Sequence, residues 1–408
     1  MTAEYRPLTS DDLEQAAYLE TVAFYGPPSP ERAEILRQFF PPDWTVGAFV
    51  DGKLVADVRT VPMTRRMNGG RIPFGAVGPV ACLADFRRHG HVGKLLRLSL
   101  ERMRDQGQAT SGLHTPHDAL YRRFGWERAE GKKRYQFEPN DVRLRFKGAK
   151  GSLERVSNDD WGRLEAVYRI YGRERNGPLH RIEPWWRQNI LREYDNFGGP
   201  LRERDAFVWA SAEGQDEGYV VYVNRSMGRD GDWQPQEIWV RDFVSLSADA
   251  HLGLWEHMLT HDLATRLTMD APLTDPFRDL CEDPSAVQAS MGEGALHRIV
   301  DVERALGMRP YVGEKPVAFT MGIADATAPW NEGVWRVEAG EGRMRAERVE
   351  GKPDVELTAN TLAPLFTGHM RPEVAAGVGL LKVREPEALA QMAEAFAVSY
   401  PAFCNDLF

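Results

Sequence analysis

The sequence predicts an α/β (α+β) chain: two successive mixed units of related design, then a closing module of different character. Three observations carry that prediction. A short motif near the N-terminus recurs in the second unit, and a buried strand runs through an Arg-Arg-His-Gly turn into an amphipathic helix. Beyond about residue 300, strands come first and helices follow, the order of an α+β module. A chain of 408 residues exceeds what one hydrophobic core organises, and two to three domains are expected.

Leu8-Thr9-Ser10-Asp11-Asp12-Leu13 returns as Val156-Ser157-Asn158-Asp159-Asp160-Trp161. Each copy places a Ser, Thr or Asn cap before acids in the first helical turn, a strong helix start. A hairpin follows in both: Thr45–Val50 turns at Asp51-Gly52 into Lys53–Val58, and Ala206–Ala210 returns as Gly218–Val223. Ala76–Leu83 reads as a short buried strand, and Val92, Leu95, Leu96, Ser99 and Met103 fall at helical spacing. Laying Gly253 on Gly90 puts Phe243–Leu246 on Val80–Leu83, with Ala250 and His251 in the places of Arg87 and Arg88. The second copy has thus lost the arginine pair, and one cofactor site per chain is expected, in the first copy. Past residue 300, Gly333–Glu338, Gly342–Arg348 and Asp354–Thr358 read as strands, and Thr361–Thr367 and Glu385–Val398 as helices. Turn residues cluster near Gly148-Ala149-Lys150-Gly151 and near Arg309-Pro310, and the expected units are 1–148, 149–300 and 301–408.

Lys and Arg number 51 against 60 Asp and Glu, a net charge of −9. That balance disfavours nucleic acid as the main partner and favours cationic substrates. Cys82, Cys281 and Cys404 are few, odd in number and without metal-ligand spacing, so neither a disulfide framework nor a zinc site is indicated. No apolar run reaches membrane-span length, and Met1–Asp12 is too polar for a signal peptide. A cytoplasmic protein without membrane insertion is expected.

Arg87-Arg88-His89-Gly90 sits where the strand turns into the helix. The first N–H groups of a helix and its dipole favour an anion there, and a phosphate is the natural ligand. Tyr121-Arg122-Arg123-Phe124-Gly125-Trp126 follows downstream. With that pair of motifs, Val77–Trp126 resembles the acetyl-CoA-binding half of the GNAT N-acetyltransferases. Their phosphate loop reads Arg/Gln-x-x-Gly-x-Gly/Ala and their next motif Tyr-x-x-x-Gly-Phe. Arg87-x-x-Gly90 fits, with Val92 where Gly or Ala is usual, and Tyr121-x-x-x-Gly125-Trp126 fits with Trp for Phe. Together with Leu113-His114, these motifs look most like the Eis (enhanced intracellular survival) branch. The resemblance implies tandem GNAT folds with mixed central sheets, the second degenerate, then a sterol-carrier-like α+β domain. It also implies acetyl-CoA as co-substrate, a small-molecule amine or lysine-type acceptor, and a homo-oligomer, in that family a hexamer.

The resemblance assigns Arg87, Arg88 and Gly90 to the pyrophosphate, which suits arginine because its planar fork donates to two oxygens at once. Val80 and Cys82 would offer backbone groups to the pantetheine arm, and Gly78-Pro79 fits a strand that splays from its neighbour. Tyr121 is the candidate acid for the thiolate, since a phenol of pKa about 10 is protonated at neutral pH. Its second reading is packing with Phe124 and Trp126. No glutamate lies between Ala76 and Ala84, and the family is understood to use the C-terminal carboxylate, here that of Phe408, as base or amine anchor. An α-carboxylate of pKa about 3.5 is a weak base and would need burial or a water relay. His114, on the strand before Tyr121, is the other candidate base or a relay, and a tail that merely packs is the third reading. Phe24, Tyr25, Phe39, Phe40 and Trp44 form an aromatic-rich mouth suited to cationic amines. Asp406 reads either as an ammonium ligand or as a solvated acid. From a different class comes a non-catalytic lipid- or ligand-binding protein on the same scaffold.

Overall fold

The computed structural model describes residues 3–26, 33–34, 36–37, 40–193, 202–226 and 236–408. The duplicated motif forms the same local structure twice. Thr9 donates from its N–H and its hydroxyl to Asp12 Oδ2, at 2.8 and 2.9 Å, ahead of the helix Leu13–Ala23. Ser157 does the same to Asp160 Oδ2, at 2.8 and 2.7 Å, ahead of Trp161–Glu174. Reciprocal capping of this kind satisfies N–H groups that a helix start leaves orphaned.

Among the described residues the first sheet has seven strands, in the order Ala3–Pro7, Thr45–Val50, Lys53–Met67, Gly70–Cys82, Thr110–Leu113, Leu296–Ile299 and Glu127–Arg128. The second also has seven: Gln288–Glu293, Gly131–Phe137, Ala264–Ala271, Gln236–Ser245, Asp216–Ser226, Asp205–Ser211 and Gly151–Val156. Both are mixed, with one parallel pairing each, Gly70–Cys82 with Thr110–Leu113 and Gln236–Ser245 with Ala264–Ala271.

Sheet membership crosses the boundaries expected at 148 and 300. Gly131–Phe137 lies in the second sheet and Leu296–Ile299 in the first. The physical reason is one antiparallel ribbon that runs through both sheets. Its rungs pair Glu293 with Gly131 in the second sheet and Leu296 with Arg128 in the first. Between them, Gly294 N–H donates to Glu130 O at 3.1 Å and Ala129 N–H to Ala295 O at 3.4 Å. No turn signal marks such a crossing, because the chain stays extended through it.

The third sheet has five strands, in the order Arg343–Val349, Gly333–Gly340, Val317–Ala324, Val355–Thr358 and Leu381–Val383, followed or interleaved by the helices Ala359–Thr367 and Pro386–Ala395. Its core also takes in Met67, Ile72 and Ile299 from strands of the first sheet, with Ala109 beside them, so the module is seated on that sheet.

The strand expected over 76–83 starts earlier, at Gly70, and reaches Cys82. It pairs with Lys53–Met67 along its length but with Thr110–Leu113 only at Phe74, Gly75 and Ala76. Beyond Ala76 no described strand pairs with that edge, which is open. The overlay of Gly253 on Gly90 does not hold: Ser247, not Gly253, caps the helix Ala248–Met258, and its hydroxyl accepts from Ala250 N–H at 3.2 Å. Gly253 lies inside that helix, pressed against Trp209. Ala250 and His251 are therefore helical rather than in a turn, and a serine hydroxyl sits where an anion would bind.

Candidate active site

The Arg-Arg-His-Gly turn has the backbone of an anion site. Arg88 has φ 67° and Gly90 φ 85°, both left-handed, and Gly90 caps the helix His91–Asp105. Glycine carries that conformation without the steric penalty of a side chain. The helical ladder begins with Lys94 N–H donating to Gly90 O at 3.1 Å, which leaves the N–H groups of His91, Val92 and Gly93 without helical acceptors. Left-handed residues ahead of a helix start turn successive N–H groups into one concavity. Arg87, Arg88 and His89 are exposed around it.

Leu83 N–H donates to Val55 O at 2.9 Å, and Ala81 stands opposite Asp57. Strand alternation therefore turns the backbone groups of Val80 and Cys82 to the open edge. The Cys82 carbonyl is engaged there by Arg87 Nε at 3.3 Å. A register shift lies opposite Gly78-Pro79, between Val58 and Thr60 of the partner strand.

The C-terminal tail ends against this edge. A Cβ built on Gly78 would lie 2.8 Å from the Phe408 carbonyl oxygen and 2.9 Å from its carbon, so only glycine lets the terminus sit there. The Phe408 ring meets Phe74 edge-on at 5.7 Å and His114 at 4.9 Å between centroids. His114 Nε2 lies 3.0 Å from the Asp406 carbonyl oxygen and so donates to it, which leaves Nδ1 as the lone-pair nitrogen. Burial lowers the His114 pKa, which favours the neutral ring.

Asp406 is neither solvated nor open to an ammonium. It is fully buried, accepts from Arg181 Nε at 3.0 and 3.1 Å and from Trp185 Nε1 at 2.9 Å, and has Arg241 at 3.7 Å. Asn405 Nδ2 donates to Arg241 O at 2.6 Å, Asn176 Nδ2 to Tyr400 O at 2.7 Å, and Phe403 N–H to Asn176 O at 2.9 Å. Arg181, Trp185, Asn176 and Arg241 were not legible as site residues, since nothing local marks a residue whose partner lies at the far end of the chain.

Tyr121 packs in the core, its second reading. It is 8% exposed and belongs to the core with Phe124 and Trp126, yet it borders the cleft. Burial pushes its hydroxyl up to about 12, and that hydroxyl has no hydrogen-bond partner among the described residues.

These features share one cleft of about 1390 Å³, walled by the splayed strand, the Arg87–Gly90 turn, Tyr121, the tail and the segment Leu179–Asn189. Phe24, Tyr25, Phe40 and Trp44 border it as expected, and Phe39 lies outside the described residues. Little of the chain's acidity is expressed among the described lining residues. Glu20 is the one side-chain carboxylate among the described lining residues, and it is ion-paired with Arg59 inside the fold.

A splayed central strand, an anion-receiving turn and a buried phenol on the next motif define an acyltransferase of the GNAT class. Profiles of the acetyltransferase (GNAT) domain match residues 4–129 and 177–299, and one of the sterol carrier protein domain matches 302–405. The chain belongs to the GNAT N-acetyltransferases, with two GNAT domains followed by a sterol carrier protein domain. It is 25% identical to N-acetyltransferase Eis of Mycobacterium tuberculosis over 98% of each chain. It is 26% identical to an uncharacterised N-acetyltransferase of Streptomyces avermitilis over 97% of each. Eis1 of Mycobacterium abscessus shares the fold with a TM-score of 0.80 at 22% identity, covering 99% of this chain and 100% of that one. A GCN5-related N-acetyltransferase from Anabaena variabilis gives 0.87 at 19% identity over the whole of both chains. Acetyl transfer is the chemistry of this chain, and the scaffold-only alternative is set aside. No helix among the described residues is long and apolar enough to cross a membrane.

Proposed function

We propose that the first GNAT unit transfers acetyl from acetyl-CoA to a primary amine by direct attack, with Tyr121 as general acid and the Phe408 carboxylate as base or amine anchor. The observation that carries this reading is the seat of the Phe408 carboxylate against Gly78, at the point where the central strand parts from its neighbour.

The residues present fit the co-substrate. Arg87, Arg88 and the unbonded N–H groups after Gly90 suit a pyrophosphate, and the open edge at Val80 and Cys82 suits an amide-bearing arm. Bound there, acetyl-CoA supplies an electrophilic thioester carbonyl. The Val80 backbone N–H on the open edge is the group we assign to polarising that carbonyl.

Tyr121 supplies a proton rather than a charge. At about 12, its pKa keeps the phenol protonated throughout the physiological range. Phe408 supplies the anion. Its ring lies against Phe74 and His114, which seats the terminus at the open strand edge. His114 holds the tail through the Asp406 carbonyl, and its Nδ1 is the second candidate for receiving the amine proton.

The same reading gives residues 1–148 the catalytic role, 149–300 a degenerate GNAT unit and 301–408 the sterol-carrier-like module, with the ribbon strands exchanged. It places a homo-oligomer, a hexamer by resemblance, in the cytoplasm, acting on a small-molecule or lysine-type amine. Thiol release from acetyl-CoA across a panel of amines tests it. Amine-dependent release that is lost on deleting Phe408, with acetyl-CoA affinity retained, is the expected result. Full activity without Phe408 would move the base role to His114 or water.

A further inference from the structure

The backbone that carries Tyr121 is gripped by the sterol-carrier-like module. The helix Asp118–Arg122 is five residues long, too short to be stable on its own. Arg128 fixes its first turn, with Nε donating to Asp118 Oδ2 at 2.7 Å. Its far end runs into a tight turn, where Phe124 N–H and Trp126 N–H both donate to the Tyr121 carbonyl, at 2.9 and 3.3 Å. Other carbonyls of that turn accept from the third module. Asn360, in the first turn of the helix Ala359–Thr367, donates from Nδ2 to Arg122 O at 3.0 Å and to Trp126 O at 3.3 Å. Thr327 Oγ1 donates to Phe124 O at 3.2 Å. Gly125, at φ 85°, lies against the Arg298 guanidinium, and a Cβ there would stand 2.7 Å from Cζ. Asp325 of the same module holds that guanidinium in the interior, at 2.7 and 2.6 Å.

We propose that Asn360 is a positioning residue for acetyl transfer: through the carbonyls of Arg122 and Trp126 it fixes where the Tyr121 hydroxyl meets the leaving sulfur. The inference rests on the reading of Tyr121 as general acid and adds a residue of the third module to it. That hydroxyl has no hydrogen-bond partner among the described residues, so its place is set by the packing of the ring and by the backbone beneath it. A general acid must stand within hydrogen-bond reach of the atom it protonates, and a displacement of about 1 Å can cost about a hundredfold in rate. A five-residue helix cannot hold that tolerance unaided, and the Asn360 amide closes its end. The proton so aimed passes to the sulfur as the thioester C–S bond breaks and the amide N–C bond forms, and solvent then restores the phenol. The third module thus governs both proton-handling groups. It ends in the tail that carries the Phe408 carboxylate, and it grips the turn behind the phenol.

Asn360→Asp in the full chain keeps the shape of the side chain, removes the donor and leaves an acid in a first helical turn, where it favours folding. Hydrogen exchange should quicken over residues 121–126 and stay unchanged in the helix His91–Asp105. With spermidine, kanamycin and a lysine peptide as acceptors, kcat for thiol release should fall roughly ten- to a hundredfold, with KM for acetyl-CoA held within about twofold. In a Tyr121→Phe background the same substitution should change kcat by less than about twofold, because the group it positions is gone. A merely structural role would lower kcat by the same factor in both backgrounds, and that result overturns the inference. So does an unchanged kcat, or unchanged exchange over 121–126. Asn360→Ala repeats the series without the added charge and decides it if Asn360→Asp melts early. A wild-type kcat in Tyr121→Phe alone strikes the general-acid reading instead. Thiol release with none of the three amines strikes the acetyltransferase reading, while exchange still judges the grip on the turn.

Discussion

Arg181 and Asp406 form a buried ion pair across 225 residues of sequence, with Arg181 Nε 3.0 Å from Oδ1 and 3.1 Å from Oδ2. Asp242 holds the other side of the same guanidinium at 2.5 Å. The pair fixes the tail two residues before its end, so the position of the Phe408 carboxylate is set by a contact with the second GNAT unit. Asp406→Asn leaves Arg181 underpaired in the interior, and breaking a buried pair of this kind costs about 3–5 kcal/mol. Urea unfolding should show a loss toward the lower figure, because Asp242 remains. Turnover should fall with acetyl-CoA affinity nearly unchanged. Unchanged turnover would separate the tail from catalysis.

The pH response of that anchor follows from its charges. Burial pushes the Asp406 carboxyl up, and Arg181 and Arg241 pull it down by more, so it stands below its ordinary 3.8. A depressed carboxyl stabilises the fold above its unfolded pKa and loses that contribution only as pH falls through the lower folded value. Activity carried by the docked tail should therefore persist down to about pH 4. A loss centred between pH 5 and 6 that Asp406→Asn abolishes would contradict this.

A second buried cluster sets the acid stability. His297 Nε2 donates to Glu130 Oε1 at 3.0 Å, and Arg65 donates to His297 Nδ1 at 2.5 Å and is paired with Glu130. Burial and then Arg65 push His297 down from 6.5 to about 4. Burial raises Glu130, but Arg65 and His297 overcome it and take it to about 2. The unfolded histidine takes up its proton first as pH falls, so stability should decline between pH 6.5 and about 4. Melting temperature against pH checks this, and His297→Gln should flatten that part of the curve.

Gly78→Ala tests the tail from the other side. A methyl group there would lie 2.8 Å from the Phe408 carbonyl oxygen, too close for the terminus to stay. Turnover should fall as far as it does on deleting Phe408, while the melting temperature moves little. A wild-type rate in Gly78→Ala would place the working carboxylate elsewhere.

Tyr121→Phe removes a hydroxyl that has no protein partner among the described residues. Stability should change little, since no internal hydrogen bond is lost. Turnover should drop by roughly a hundredfold or more, the usual contribution of a positioned acid. With the phenol at about 12, no alkaline limb from Tyr121 should appear in the wild-type profile below about pH 11.

Arg88→Ala should weaken acetyl-CoA binding roughly ten- to a hundredfold, the loss expected for a charge-assisted hydrogen bond to phosphate. Turnover at saturating acetyl-CoA should stay near normal, because Arg88 is remote in role from the reacting carbon. Unchanged affinity, measured by calorimetry, would remove the phosphate assignment.

Local chemistry was readable in the sequence because its partners lie a few residues away. Thr9 with Asp12, Ser157 with Asp160, the Arg87–Gly90 turn and the Tyr121 motif each formed where short-range rules put them. The duplicated architecture followed from the same short patterns. The match of Gly253 to Gly90 failed because one glycine is weak information, while Ser247 carried the actual cap. Three things were decided by tertiary structure alone. The ribbon through 128–131 and 293–296 trades strands between sheets, since extended backbone pairs with whatever edge is available. Asp406 became an anchor because Arg181, Trp185 and Arg241 converge on it from distant segments. Among the described lining residues Glu20 is the one side-chain carboxylate and it is paired, because burial and pairing depend on which residues meet in space, which composition does not specify.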